Sequence, residues 1–448
     1  MTLAEKIGQM NQVHAGEGVP AGPLREEIRA GGIGAVLNVV GADAVNALQR
    51  VAVEESRLGI PLLFGRDVIH GFRTVLPIPL GQAATFNPGI VREGARLAAL
   101  EAAATGVNWT FAPMIDIARD PRWGRIAESF GEDPCLASLL GVAMIEGFQG
   151  GDLAAPGAVA ACAKHFAGYG AAESGRDYAT TNIPENELRN TYLAPFRAAV
   201  QAGVATLMPS FSDLNGVPAT ANAFLLRQVL RREWGFGGFV VSDWGSIPQL
   251  SVHGLTAGDA DAACEAAKAG VDMDMASGVY AAQLARLVEE GRLGLDVVDA
   301  AVARILRVKF RLGLFERPYV EPAKVPEIPL AEGLRTARHA ALTSMVLLKN
   351  AGGVLPLSRA TTKSVAVIGP LADDPYEQLG TWIFDGDPAR SVTGLQGIRD
   401  LVGGEVEIRH VRCLETSRAR STAGFDAALA AARASDAAIL FLGEESIL

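Results

Sequence analysis

The sequence predicts an α/β protein: a parallel barrel of the (β/α)8 type followed by a second, shorter α/β unit. Three observations predict it. Short apolar segments alternate with alanine-rich helical stretches from residue 1 to about 315. The segments run continuously in Val, Ile, Leu and Ala, as strands covered on both faces require. Their C-terminal ends are charged, on the rim where a parallel barrel gathers its site.

Met1 to Ile7 read as the start of an amphipathic helix. Strands are predicted at 33–40, 61–67, 108–117, 160–167, 205–211, 239–243 and 271–275. Helical patterns fall between them, among others at 88–105, 187–202, 222–233 and 259–269. About seven strands rather than eight predict an irregular barrel. Past Phe315, Pro318, Pro322, Pro326 and Pro329 read as an extended linker. The predicted partition is a barrel over 1–315, a linker over 316–331 and a second domain over 332–448. That domain opens with a helix at 332–348 and has strands at 365–369 and 437–442, with a helix at 424–435. The chain stops at Gly443-Glu444-Glu445-Ser446-Ile447-Leu448, directly after a strand-like run. The expectation is a domain cut short, with an uncovered sheet edge and low solubility.

Hydrophobic residues make up 49% of the chain and charged ones 20%, which fits a well-packed globular protein. The net charge is −10 and no basic stripe is present, which argues against nucleic acid and anionic membranes as partners. No apolar run reaches the length of a membrane span. Cys135, Cys162, Cys264 and Cys413 lie far apart, so most are expected to be buried apolar residues rather than a disulfide framework. The six histidines are scattered, and neither a metal site nor a cofactor is expected. The N-terminus has no signal-peptide pattern, and compartment and homo-oligomerisation stay open.

The segment Phe239-Val240-Val241-Ser242-Asp243-Trp244 ends a strand on a lone carboxylate beside an aromatic ring. A buried Asp needs partners and usually has a role. One reading makes Asp243 a nucleophile attacking the anomeric carbon of a sugar. The other makes it the cap of the next helix. Asp67, in Phe-Gly-Arg-Asp-Val-Ile-His, reads as a sugar anchor or as a structural partner of Arg66 or another arginine. His70 reads as structural. In Arg119-Asp120-Pro121-Arg122-Trp123-Gly124-Arg125, Arg122 pairs with Asp120 and leaves Arg125 to point inward, with Glu132 and Asp133 as structural partners of these arginines. Lys164 and His165 are adjacent in a strand, where neighbours face opposite sides. For both to reach one site the backbone must bulge or a peptide must be cis.

Taken together and in order, the blocks 1–10, 64–80, 111–134, 164–178, 208–222, 234–246, 308–315, 346–357 and 368–372 resemble glycoside hydrolase family 3. The resemblance implies a TIM-like barrel followed by an α/β sandwich, here incomplete. It implies a retaining, exo-acting β-glycosidase working on an oligosaccharide or β-glucoside. A β-glucosidase is the leading reading, a β-xylosidase the alternative, and a silent sugar-binding fragment a third from another class. It places the nucleophile on Asp243 and sugar contacts on Asp67, Arg125, Lys164, His165, Arg176 and Met208. Trp244 and Trp382 match aromatic positions flanking the next sugar.

Three departures matter. The one-domain branch has a histidine where Tyr169 stands in Lys164-His165-Phe166-Ala167-Gly168-Tyr169-Gly170, which points to the two-domain branch. Phe211 replaces a tyrosine of some relatives, removing a hydroxyl contact. The acid–base Glu of the two-domain branch is expected past Leu448, with Glu444 and Glu445 too early. Loss of such a group removes about two to four orders of magnitude of rate.

Overall fold

The computed structural model describes residues 1–15, 21–321, 328 and 330–446. Pro322, Pro326 and Pro329 of the predicted linker, with Ile447 and Leu448, lie outside the described residues. The chain divides into two compact units, Met1–Ser344 and Met345–Leu448.

The first unit opens with the helix Leu3–Gln9. Thr2 caps its first turn and Glu5 reaches back to the Thr2 backbone, a reciprocal capping box. Among the described residues eight parallel strands follow: β1 Asn11–His14, β2 Ala35–Leu37, β3 Leu63–Arg66, β4 Trp109–Thr110, β5 Cys162–Phe166, β6 Thr206–Pro209, β7 Phe239–Val240 and β8 Asp274–Met275. β8, β1, β2, β3 and β4 pair in that order, as do β5, β6 and β7. Parallel bridges Trp109 to Ala160 and Val241 to Met273 join the two sets into a closed ring. The seven predicted strands lie in this ring, most of them shorter than predicted. The eighth, β1, was not foreseen, because Asn-Gln-Val-His carries no apolar run.

The ring is filled by large side chains. Trp109 lies between Phe111 and Phe239 in edge-on contacts, and its indole N–H donates to Thr206 Oγ1 at 2.9 Å. Helices Pro88–Ala104 and Pro134–Gln149 pack together outside it. They approach so closely that a Cβ on Gly147 would stand 2.4 Å from the Arg92 carbonyl. Two buried polar groups tie the outer helices to the strands. Asp272 accepts from Arg231 and Arg304, both at 2.7 Å, and from the Val240 backbone N–H at 2.8 Å. Lys309, on the helix Leu295–Arg311, donates to Gln9 Oε1 at 2.7 Å and to the Gly34 carbonyl at 2.9 Å.

The helix Ala331–Ser344 packs on the helices Pro79–Ala83 and Pro88–Ala104. It therefore belongs to the first unit, whereas the sequence placed it at the head of the second. The second unit holds a parallel sheet in the order Glu407–Val411, Ser364–Ile368, Ala437–Leu440. The central strand is apolar and mostly buried. The strand Glu407–Val411 and the helix Gly394–Val402 were not predicted. Cys162 and Cys264 are buried, but Cys135 is exposed and Cys413 half-buried, so only two of the four cysteines behave as core residues. No helix among the described residues is long and apolar enough to cross a membrane.

Candidate active site

The C-terminal ends of the barrel strands converge on one cluster of ionisable groups. Asp67 follows β3 directly, and its Oδ1 accepts from Lys164 Nζ at 3.0 Å. Arg66 donates instead to Asn38 Oδ1 at 2.8 Å, so the partner of Asp67 is the lysine of β5 and not its arginine neighbour. The Lys164–His165 peptide is cis, and the register of β5 on β6 shifts between Lys164 and Phe166. Both side chains are buried and reach this cluster. Met208 on β6 is buried and sits in register with Lys164.

Asp243 lies three residues past the end of β7. It is buried, at 7% exposure. Its Oδ1 accepts the Trp244 backbone N–H at 2.7 Å. Its Oδ2 stands 3.6 Å from His165 Nε2 and has no hydrogen-bond partner among the described residues. The next helix, Gln249–Val252, has Pro248 at its cap position and no side-chain cap, so Asp243 does not cap it. Burial pushes the Asp243 carboxyl up to about 6, while the charges of Arg125 and Lys164 and the Trp244 N–H pull the other way. A carboxylate with one oxygen held and the other left without a partner, among cations, is disposed to act as a nucleophile.

Arg125 is half-buried after β4 and grips Glu128 with two bonds, 2.8 and 2.9 Å, while its guanidinium lies 5.5 Å from the centre of the Tyr169 ring. Arg122 pairs with Asp120 at 2.6 Å, as predicted. Glu132 and Asp133 do not serve these arginines as predicted. Arg125 uses Glu128, Arg119 uses Glu187, and Asp133 caps the helix Pro134–Gln149 through the Leu136 N–H. The distances involved explain this: Glu128 is one helical turn from Arg125, on the same short helical segment. His70 is buried with Nδ1 2.8 Å from the Leu76 carbonyl, a structural contact.

Trp244 is 47% exposed, with its ring edge-on to His14 at 5.3 Å. Arg176 is exposed in the loop after β5. Trp382 lies in the second unit, edge-on to Phe384 at 5.7 Å. Asp272, just before β8, and Asp274, its first residue, are structural. Asp272 is the staple described above, and Asp274 accepts from Ser277 and from the Tyr280 backbone N–H at the start of the next helix. One member of the cluster escaped the sequence reading. Asp116 accepts the His165 backbone N–H at 3.0 Å and lies 2.8 Å from His165 Nδ1. Among the described residues no group of three His, Cys, Asp or Glu side chains is arranged to hold a metal ion.

The model of the glycosyl hydrolase family 3 N terminal domain matches residues 2–308, and that of the glycosyl hydrolase family 3 C-terminal domain matches 345–448. The chain belongs to glycosyl hydrolase family 3. Among its relatives, a periplasmic beta-glucosidase of Salmonella typhimurium is 42% identical over 92% of this chain and 54% of its own. A beta-xylosidase of Formosa agariphila is 36% identical over 88% of this chain and 58% of its own. The beta-glucosidase of Listeria innocua, solved with glucose, superimposes with a TM-score of 0.91 at 40% identity, covering 99% of this chain and 63% of that one. A mutant of the same enzyme was solved with laminaribiose. This family 3 chain spans about half the length of the curated relatives it matches.

Proposed function

We propose that this family 3 chain carries the nucleophile and the sugar anchors of a retaining, exo-acting β-glycosidase whose preferred sugar is glucose. The observation that carries the reading is the placement of Asp243: buried, one oxygen held by the Trp244 N–H, the other facing His165, at the site end of a barrel strand. In the reaction Asp243 forms a bond to the anomeric carbon as the bond to the departing oxygen breaks. Water then cleaves the glycosyl ester, releases the sugar and regenerates the carboxylate. The Asp67–Lys164 pair offers an acceptor and a donor for adjacent hydroxyls, and His165 and Arg125 complete the binding of the terminal sugar. Trp244 offers an exposed flat face for the neighbouring unit, and Met208 an apolar wall. Arg176 is assigned to this sugar-binding set, and Trp382 to sugar contact, on the family resemblance alone.

The Salmonella and Listeria relatives, both named as beta-glucosidases, support glucose, whereas the Formosa relative supports xylose as the second reading. Rates on matched aryl β-glucosides and β-xylosides separate the two. Loss of turnover in Asp243→Ala with retained sugar binding supports the catalytic reading. Equal rates in Asp243→Ala and the parent refute it.

A further inference from the structure

The proposed reaction leaves one buried carboxyl without a task. Asp116 lies in the run Met114-Ile115-Asp116-Ile117, whose apolar members are core, and is itself 1% exposed. The segment reaches β5 because Met114 bridges to Lys164, and the Ile115 N–H donates to the Lys164 carbonyl at 2.8 Å. Asp116 Oδ2 takes the His165 backbone N–H at 3.0 Å and lies 2.8 Å from His165 Nδ1. Its Oδ1 has no hydrogen-bond partner among the described residues. An ionised carboxylate with one oxygen unpartnered in the interior is costly, and a neutral acid much less so.

The opposite side of the ring constrains the same proton. His165 Nε2 faces Asp243 Oδ2 at 3.6 Å, and that oxygen has no hydrogen-bond partner among the described residues either. A bare nitrogen lone pair would be repelled by the carboxylate, whereas an N–H is attracted to it. A neutral imidazole protonated at Nε2 has a lone pair at Nδ1 and needs a donor there. A hydroxyl at Asp116 Oδ2 can donate to Nδ1 and still accept the His165 backbone N–H.

We propose that Asp116 is a positioning residue: as a neutral carboxylic acid it donates to His165 Nδ1 and holds the ring in the Nε2–H form, aimed at Asp243. The proton arrangement stands on the geometry. Its catalytic consequence rests on the proposed nucleophile. Burial acts in the same direction, pushing Asp116 up to about 8 and holding His165 well below the usual imidazole value, with Arg125 and Lys164 adding to the second effect. The charged groups facing the pair are Arg125, Glu128, Lys164 and Asp243, and the Tyr169 ring packs edge-on against His165 at 5.2 Å. As pH rises through about 8 the acid ionises, Nδ1 takes the proton, and Nε2 turns bare toward Asp243.

Asp116→Asn reverses the arrangement. The His165 backbone N–H demands an acceptor, so the amide oxygen takes the Oδ2 position. That oxygen cannot donate, so Nδ1 must, and Nε2 loses its proton. Long-range ¹⁵N spectra of histidine-labelled protein, with His165 assigned through His165→Gln, read the tautomer directly. The expected native ring is Nε2–H at pH 7 and becomes Nδ1–H above about pH 8. In the Asp116→Asn variant the ring is expected as Nδ1–H at both values. Trapping of this variant by 2-deoxy-2-fluoro-β-glucosyl fluoride is expected to slow on the order of 10²-fold, the usual effect of losing one aimed donor. A native ring that is Nδ1–H or doubly protonated at pH 7 overturns the proposal, and this holds even if the variant does not fold. An Nε2–H ring in a native protein that is never trapped overturns the nucleophile reading and leaves Asp116 as assigned.

Discussion

Lys309 couples the stability of the barrel to pH. It is fully buried, and among the described residues its ammonium is bonded to neutral groups only, Gln9 Oε1 and the Gly34 carbonyl. Burial pushes it down from 10.5 to about 7. In the unfolded chain it stays charged up to about 10.5, so between the two values unfolding takes up a proton. Raising the pH through this window therefore favours the folded barrel. The stabilisation is complete above 10.5 and is lost as pH falls toward about 7. One pKa unit corresponds to about 1.4 kcal/mol, so the full effect is about 5 kcal/mol. Between pH 7.5 and 9.5 the two titration curves give a gain of about 2.5 kcal/mol. Lys309→Met keeps the volume and removes the titration. It also leaves two acceptors unpaired, but that cost does not vary with pH. Urea denaturation of both proteins at the two pH values is the assay. The native protein is expected to gain about 2.5 kcal/mol relative to Lys309→Met. Parallel behaviour of the two across this window would refute the reasoning.

Three further outcomes follow from the same geometry. Asp243 must be ionised to attack and burial raises it to about 6, so the trapping rate should climb as pH rises through that value; a flat profile from pH 5 to 7 contradicts this. Asp272→Ala leaves Arg231 and Arg304 facing an empty site and should cost about 3–5 kcal/mol in denaturant, whereas a change below about 1 kcal/mol would deny the staple. On the proposed reading that the Trp244 ring faces the neighbouring unit, Trp244→Ala should raise KM for a disaccharide about tenfold and leave trapping by a monosaccharide fluoride nearly unchanged.

Apolar runs made seven of the eight barrel strands legible, and the nucleophile candidate followed from one of them. β1 was not legible because its inward residue is polar: Gln12 is fully buried in the barrel with both amide atoms unpartnered among the described residues. Asp116 was hidden for a related reason. It stood inside an apolar run read wholly as strand, yet the strand is only Trp109–Thr110, and Asp116 lies beyond its end. A carboxylate in the middle of such a run was the available signal, since buried carboxyls need a partner. The boundary between the units was drawn at the proline cluster, a local cue. What assigns the helix Ala331–Ser344 to the first unit is packing, with Ala340 buried against Leu76 and Ile90. The Asp67–Lys164 and Arg125–Glu128 pairs could not be separated from their alternatives by sequence, because partner choice depends on which loops the barrel brings together.

The central claim is that Asp243 is the nucleophile of a glucosidase site. Intact mass after incubation with 2-deoxy-2-fluoro-β-glucosyl fluoride, followed by peptide mapping, tests it most directly, since fluoride departs with little help from an acid. One fluoroglucosyl adduct on the peptide containing Asp243 is the predicted result. A folded protein that gains no mass, or carries the label on another residue, would contradict it.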